Sequence, residues 1–106
     1  MKVTVFTKKM TEFERQMMEE YLQKKIAKFE RLVNEFDDDA VKLEVAAEKF
    51  TNKNAYKVEF VMVLPKAASK ALVASEDSHD LLKAVDFAEE KLLEQIKRAM
   101  EKLHKI

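Results

Sequence analysis

The sequence predicts an α+β fold: a two-layer β-α-β-β-β-α sandwich, with two helices packed on one face of a four-stranded mixed sheet. Three observations carry that expectation. Two long segments repeat apolar residues at steps of three and four, the period of a helix face. One shorter segment alternates apolar and polar residues and a second carries apolar residues at every other position along one face, the period of a strand. The chain has no glycine and one proline, so little interrupts these patterns.

Val3-Thr4-Val5-Phe6, β-branched and aromatic, forms the first strand. Thr11 then offers an N-cap oxygen, and Glu14 stands at the capping-box spacing. Met18, Leu22, Ile26, Phe29, Val33 and Phe36 make the stripe of the first helix, which the run Asp37-Asp38-Asp39 ends. In the second strand Val41, Leu43, Val45 and Ala47 face one way, while Lys42, Glu44 and Glu48 face the other. Thr51-Asn52-Lys53-Asn54 is a turn in which Asn takes the left-handed backbone that glycine would otherwise supply. Tyr56, Val58, Phe60, Met62 and Leu64 line the third strand, and Pro65 closes it because a proline cannot donate to a ladder.

Lys66 to Ser69 connect to a short fourth strand, Leu72-Val73-Ala74. Asp77 or Ser78 caps the second helix, whose stripe is Leu81, Val85, Ala88, Leu92, Ile96, Ala99 and Leu103. A right-handed crossover sets strand one parallel to strand two, and short turns make strands two to four an antiparallel meander. One apolar stripe per helix puts both helices on the same side. Lys42, Glu44, Lys57 and Glu59 then meet water on the other. With no repeat or linker, a single domain spanning residues 1–106 is expected.

Composition narrows the chemistry. No cysteine means no disulfide, zinc knuckle, Fe–S cluster or thiol nucleophile. No glycine means no P-loop, GxGxxG or GxSxG turn. The longest apolar run, Phe60-Val61-Met62-Val63-Leu64, is far short of a bilayer span, and no signal peptide opens the chain, so a cytoplasmic, non-enzymatic bacterial protein is expected. Glu35, Asp37, Asp38 and Asp39 cluster, but without the spaced ligands of a calcium loop a solvated helix end is the simpler reading. His79 and His104 sit at opposite ends of the second helix and cannot share a metal; His79 is expected in its first turn. No nucleophile, general base or cofactor site emerges.

The cations are more informative. Lys+Arg and Asp+Glu number 20 each, so attraction to a polyanion depends on how charge is distributed. Lys24, Lys28 and Arg31 share a helix face, with Lys25 adjacent. Lys91, Arg98, Lys102 and Lys105 run along the second helix, flanked by Lys83 and Lys97. Side by side over one sheet, two such rows make a common field for phosphates. From charge pattern alone, solubilising pairs such as Glu94 with Arg98 explain these residues more economically. Tyr56 and most phenylalanines fall on core-facing stripes, so recognition would use shape and backbone charge rather than base stacking.

Lys24-Lys25-Ile26-Ala27-Lys28-Phe29-Glu30-Arg31 resembles the end of the first helix in bacterial ribosome hibernation promoting factors, the ribosome-associated inhibitor or sigma-54 modulation family. Leu72-Val73-Ala74-Ser75, followed by Asp80-Leu81-Leu82-Lys83-Ala84-Val85-Asp86, resembles that family's fourth strand and last helix. Lys91-Leu92-Leu93-Glu94-Gln95-Ile96-Lys97-Arg98 is similar to its C-terminal basic segment, with Glu94 at an often basic position.

The resemblance implies a short-form translation silencer in the small ribosomal subunit. Such a protein contacts 16S rRNA and overlaps the mRNA channel and the A and P tRNA sites under stress. By matching position, Lys25, Lys28, Arg31, Lys91, Lys97 and Arg98 take the rRNA-contact role, and the charge pattern adds Lys24, Lys83 and Lys102. The expected partners are the small subunit and 16S rRNA, with no DNA and no membrane, and the free protein is a monomer. Reversing Lys28 and Lys91 to Glu is expected to release it. The alternative is a protein-interaction module for the transcription machinery, working through the exposed sheet edge or an acidic patch.

Overall fold

The computed structural model describes residues 1–65 and 71–104; the expected connection at Lys66 to Ser69 and the side chain of Lys105 lie outside the described residues. The element order is β1 (Lys2–Lys8), α1 (Glu12–Leu32), a turn of 3-10 helix at Asp38–Ala40, β2 (Lys42–Phe50), β3 (Ala55–Val63), β4 (Leu72–Ser78) and α2 (Leu81–His104). The strands lie in the order β1-β2-β3-β4. β1 is parallel to β2, and the other neighbours are antiparallel. This is the expected mixed sheet.

Alternation fixes which side of the sheet is dry. Val5, Val45, Phe60 and Ala74 form one row across all four strands, and the last three are buried. Leu43, Ala47, Val58 and Met62 extend that face. From above, α1 contributes Met18, Leu22 and Phe29, while α2 contributes Leu81, Val85, Ala88, Leu92 and Ile96 to the same core. Phe29 meets Phe60 edge-on, with ring centroids 5.7 Å apart. Each such side chain contributes roughly 1.5–3 kcal/mol by leaving water. The helices run parallel, because the contacts Tyr21–Asp86 and Lys25–Glu89 advance together along both, and Glu35, just past the end of α1, meets His104 at the end of α2.

The capping box at Thr11 and Glu14 is present as expected, and Asn54 takes a positive φ of 48°. Lys9, with φ 60°, adopts a similar backbone between β1 and α1, which sequence reading did not anticipate.

Three boundaries differ. Helix α1 ends at Leu32, where Val33 becomes its C-cap. Val33 and Phe36 still pack against the core, but from the descending chain rather than the helix. Strand β4 continues through the polar run Ser75-Glu76-Asp77-Ser78, because Tyr56 to Glu59 of β3 supply a ladder for it. Helix α2 therefore starts later, and its cap is Asp80, not Asp77 or Ser78. Asp80 Oδ1 accepts from the N–H groups of Leu82 (3.0 Å) and Lys83 (3.2 Å). His79 lies before the helix, with Nδ1 2.8 Å from the Asn54 carbonyl oxygen.

Candidate nucleic-acid interface

Two parallel helices with separate cation rows meet along one seam, and acids line it. Lys25 Nζ reaches from α1 to Asp86 Oδ1 at 3.0 Å and Glu89 Oε1 at 2.9 Å on α2. It also lies 4.7 Å from the centre of the Tyr21 ring. The Tyr21 hydroxyl donates to Asp86 Oδ1 at 2.7 Å, and Lys28 Nζ stands 3.9 Å from Glu89 Oε2. Glu89 is only 7% exposed.

Burial opposes the charge on Lys25, but hydrogen bonds to Glu89 and Asp86 outweigh it and hold the ammonium above its usual range. Burial likewise pushes Asp86 up, yet the Tyr21 hydroxyl and Lys25 pull it below the ordinary carboxylate value. The hydrogen bond to Asp86 raises the Tyr21 phenol. Lys25 is thus engaged within the protein, tying one helix to the other.

The other expected contacts divide by flank. Lys24, Lys28 and Arg31 are exposed along α1. Arg31 borders a shallow depression that also includes Glu30, Asp37 and Asp38. On α2, the steps of four, three and four put Lys91, Gln95, Arg98 and Lys102 on one flank. Lys91 bonds Glu76 of β4 at 3.1 Å, and Gln95 Nε2 donates to the Val73 carbonyl at 2.6 Å. That flank therefore faces the β4 edge, away from α1. Arg98 also pairs with Glu94 at 3.7 Å. Lys83 and Lys97 are exposed; Lys97, eleven residues after Asp86, returns to the side nearer α1. The expected common field thus gathers Lys24, Lys28, Arg31 and Lys97, while Lys91, Arg98 and Lys102 form a second row around the side of α2.

A separate buried carboxylate secures α1 to the sheet. Glu14 Oε1 accepts from the Thr11 backbone N–H at 2.9 Å, and Oε2 accepts from the Tyr56 hydroxyl and, at 3.4 Å, from Lys49. The Thr11 N–H and then the Tyr56 hydroxyl lower its pKa to about 2, against the opposing effect of burial.

Sequence reasoning missed the acidic partners. Glu89 could have been found, since it stands four residues after Val85 and three before Leu92, on the core stripe. It also placed too many aromatics inside: Phe6 is 54% exposed, Phe13 74% and Phe87 44%. Among the described residues no group of three or more His, Cys, Asp or Glu is arranged to hold a metal ion, and no helix is long and apolar enough to cross a membrane.

The fold is similar to the N-terminal domain of Thermus thermophilus Protein Y, with a TM-score of 0.66 and 22% identity over 92% of this chain and 98% of that one. It is also similar to a ribosomal subunit interface protein from Coxiella burnetii, with a TM-score of 0.66 and 19% identity over 92% of this chain and 96% of that one. No curated protein matches by sequence. A family model described as sigma 54 modulation protein / S30EA ribosomal protein matches residues 13–104, which take in α1 from its second residue, β2 to β4 and α2. On that match the chain belongs to the sigma 54 modulation protein / S30EA ribosomal protein family, that of the ribosome hibernation promoting factors.

Proposed function

We propose that this chain is a non-catalytic translation silencer that binds the small ribosomal subunit and stabilises idle ribosomes under stress. The family match across both helices is the observation that carries the reading. It favours the ribosome over a module for the transcription machinery. In this reading the whole chain acts as one domain, a cytoplasmic monomer when free. It lies against 16S rRNA and blocks the mRNA channel and the A and P tRNA sites by occupying them.

The geometry supports a division of labour among the cations. Lys24, Lys28, Arg31 and Lys97 meet phosphates from the outer surface of the helix pair, with Lys83 beside them. Lys91, Arg98 and Lys102 bind along the β4 flank. Lys25 acts through position, holding the two helices in register rather than touching RNA. Phosphate contacts of this kind fix placement without reading sequence, and they weaken as salt rises.

Charge reversal at Lys28 and Lys91 is a poor test, because the new carboxylates would face Glu89 and Glu76. Lys24→Glu with Lys97→Glu changes two exposed residues that make no ion pair among the described residues. Sucrose-gradient fractionation is expected to find the wild type with small subunits and this double variant at the top, with unchanged thermal unfolding. A folded double variant that still co-sediments overturns the placement.

A further inference from the structure

The two edges of the sheet are finished differently. At β4, side chains of α2 occupy two of the outward carbonyls: Gln95 donates to Val73 at 2.6 Å and Lys91 to Ser75 at 3.5 Å. At β1, the bond from the Lys2 N–H to the Val41 carbonyl fixes the parallel ladder. Lys2, Thr4, Phe6 and Lys8 therefore turn their backbone groups toward β2, and Val3, Val5 and Thr7 turn theirs outward. Among the described residues no side chain hydrogen-bonds to those outward groups.

We propose that the β1 edge is a docking site for an extended acidic peptide of a partner protein, which adds to the sheet as a fifth strand. Unpaired N–H and C=O groups supply affinity in such strand addition, and alternate side chains supply specificity. Residues 1–11 contain Lys2, Lys8 and Lys9 and no acid. Lys2 and Lys8 are exposed on the open face of the sheet, and Lys8 is held only loosely by Glu48 at 3.9 Å. Val3 and Val5 are half-buried at the rim of the core, so apolar residues alternating with the acids would cover them.

A second copy of this chain is the wrong occupant. Antiparallel self-pairing centred on Val5 sets Lys2 of each chain against Lys8 of the other, and facing like charges oppose the pair. The same lysines that block self-association thus select an anionic strand. The site is remote from the β4 flank and uses none of the cations assigned to rRNA, so its failure leaves that reading untouched.

The test is a capped synthetic peptide of alternating Glu and Val, titrated into the isotope-labelled full chain beside a peptide with Lys in place of Glu. The acidic probe is expected to protect the Val3, Val5 and Thr7 amides from exchange and to bind at least about tenfold more tightly than the basic one. Val5→Pro removes an N–H that points away from the sheet, so β1 keeps its ladder, and the acidic probe should weaken about tenfold. Lys2→Glu with Lys8→Glu should reverse the preference between probes. Equal binding of both probes, protection elsewhere, dimerisation through β1, or preferential protection of the same amides by oligouridine would each overturn the proposal.

Discussion

Lys25 on α1 holds its ammonium 2.9 Å from Oε1 of Glu89 on α2, where the carboxylate is almost fully withdrawn from water. An ion pair in such a place adds little compared with a well-packed apolar pair, but removing one partner leaves the other stranded. Lys25→Met is expected to cost about 3 kcal/mol in urea denaturation. Adding Glu89→Gln should return part of that loss. Folded Lys25→Met protein should still co-sediment with small subunits, which separates positioning from RNA contact.

Glu14 gives stability a defined pH dependence. Its folded pKa, about 2, lies below the ordinary 4.5, so the native state binds its proton less readily than the unfolded chain. The stabilisation is complete above the unfolded value and is lost as pH falls from about 5 toward 2. Thermal melts across that range should show wild type losing its advantage over Glu14→Gln. Tyr56→Phe should move the Glu14 carboxyl upward, readable by NMR titration.

The start of α2 gives a local test. Asp80→Ala removes the acceptor for two helix N–H groups and should cost about 1 kcal/mol. Asp77→Ala, at a strand residue exposed on the open face, should change stability by no more than about 0.5 kcal/mol. Comparable losses at both positions would move the cap back to the residues favoured by sequence.

What could be read from the sequence was what neighbouring residues decide among themselves. Thr11 and Glu14 form their box within one turn, and Asn54 is a residue type that tolerates the left-handed backbone its turn requires. Alternation from Val41 to Ala47 gave the buried face of β2 without knowledge of its partners. Ser75 to Ser78 were illegible because β3, not their own propensity, makes them a strand. Lys25 was legible as a cation, but its engagement with Asp86 and Glu89 depends on how two distant helices pack. Phe6 left a signal that went unused, since it alternates out of phase with Val3 and Val5 and so points to the open face.

The parallel course of the helices has an electrical consequence. The first half of α1 holds Glu12, Glu14, Glu19 and Glu20 against Arg15, whereas the second holds Lys24, Lys25, Lys28 and Arg31 against Glu30. α2 repeats the division more weakly, with Asp86, Glu89 and Glu90 against Lys83 and Lys91 in its first half, then Lys97, Arg98 and Lys102 against Glu94 and Glu101. Each helix thereby opposes its own backbone dipole with side chains of the favourable sign. Because the two rods point the same way, their separations of charge add instead of cancelling. Along the helix layer the cations therefore gather toward one end, where Glu35, Asp37, Asp38 and Asp39, which follow α1, stand against them.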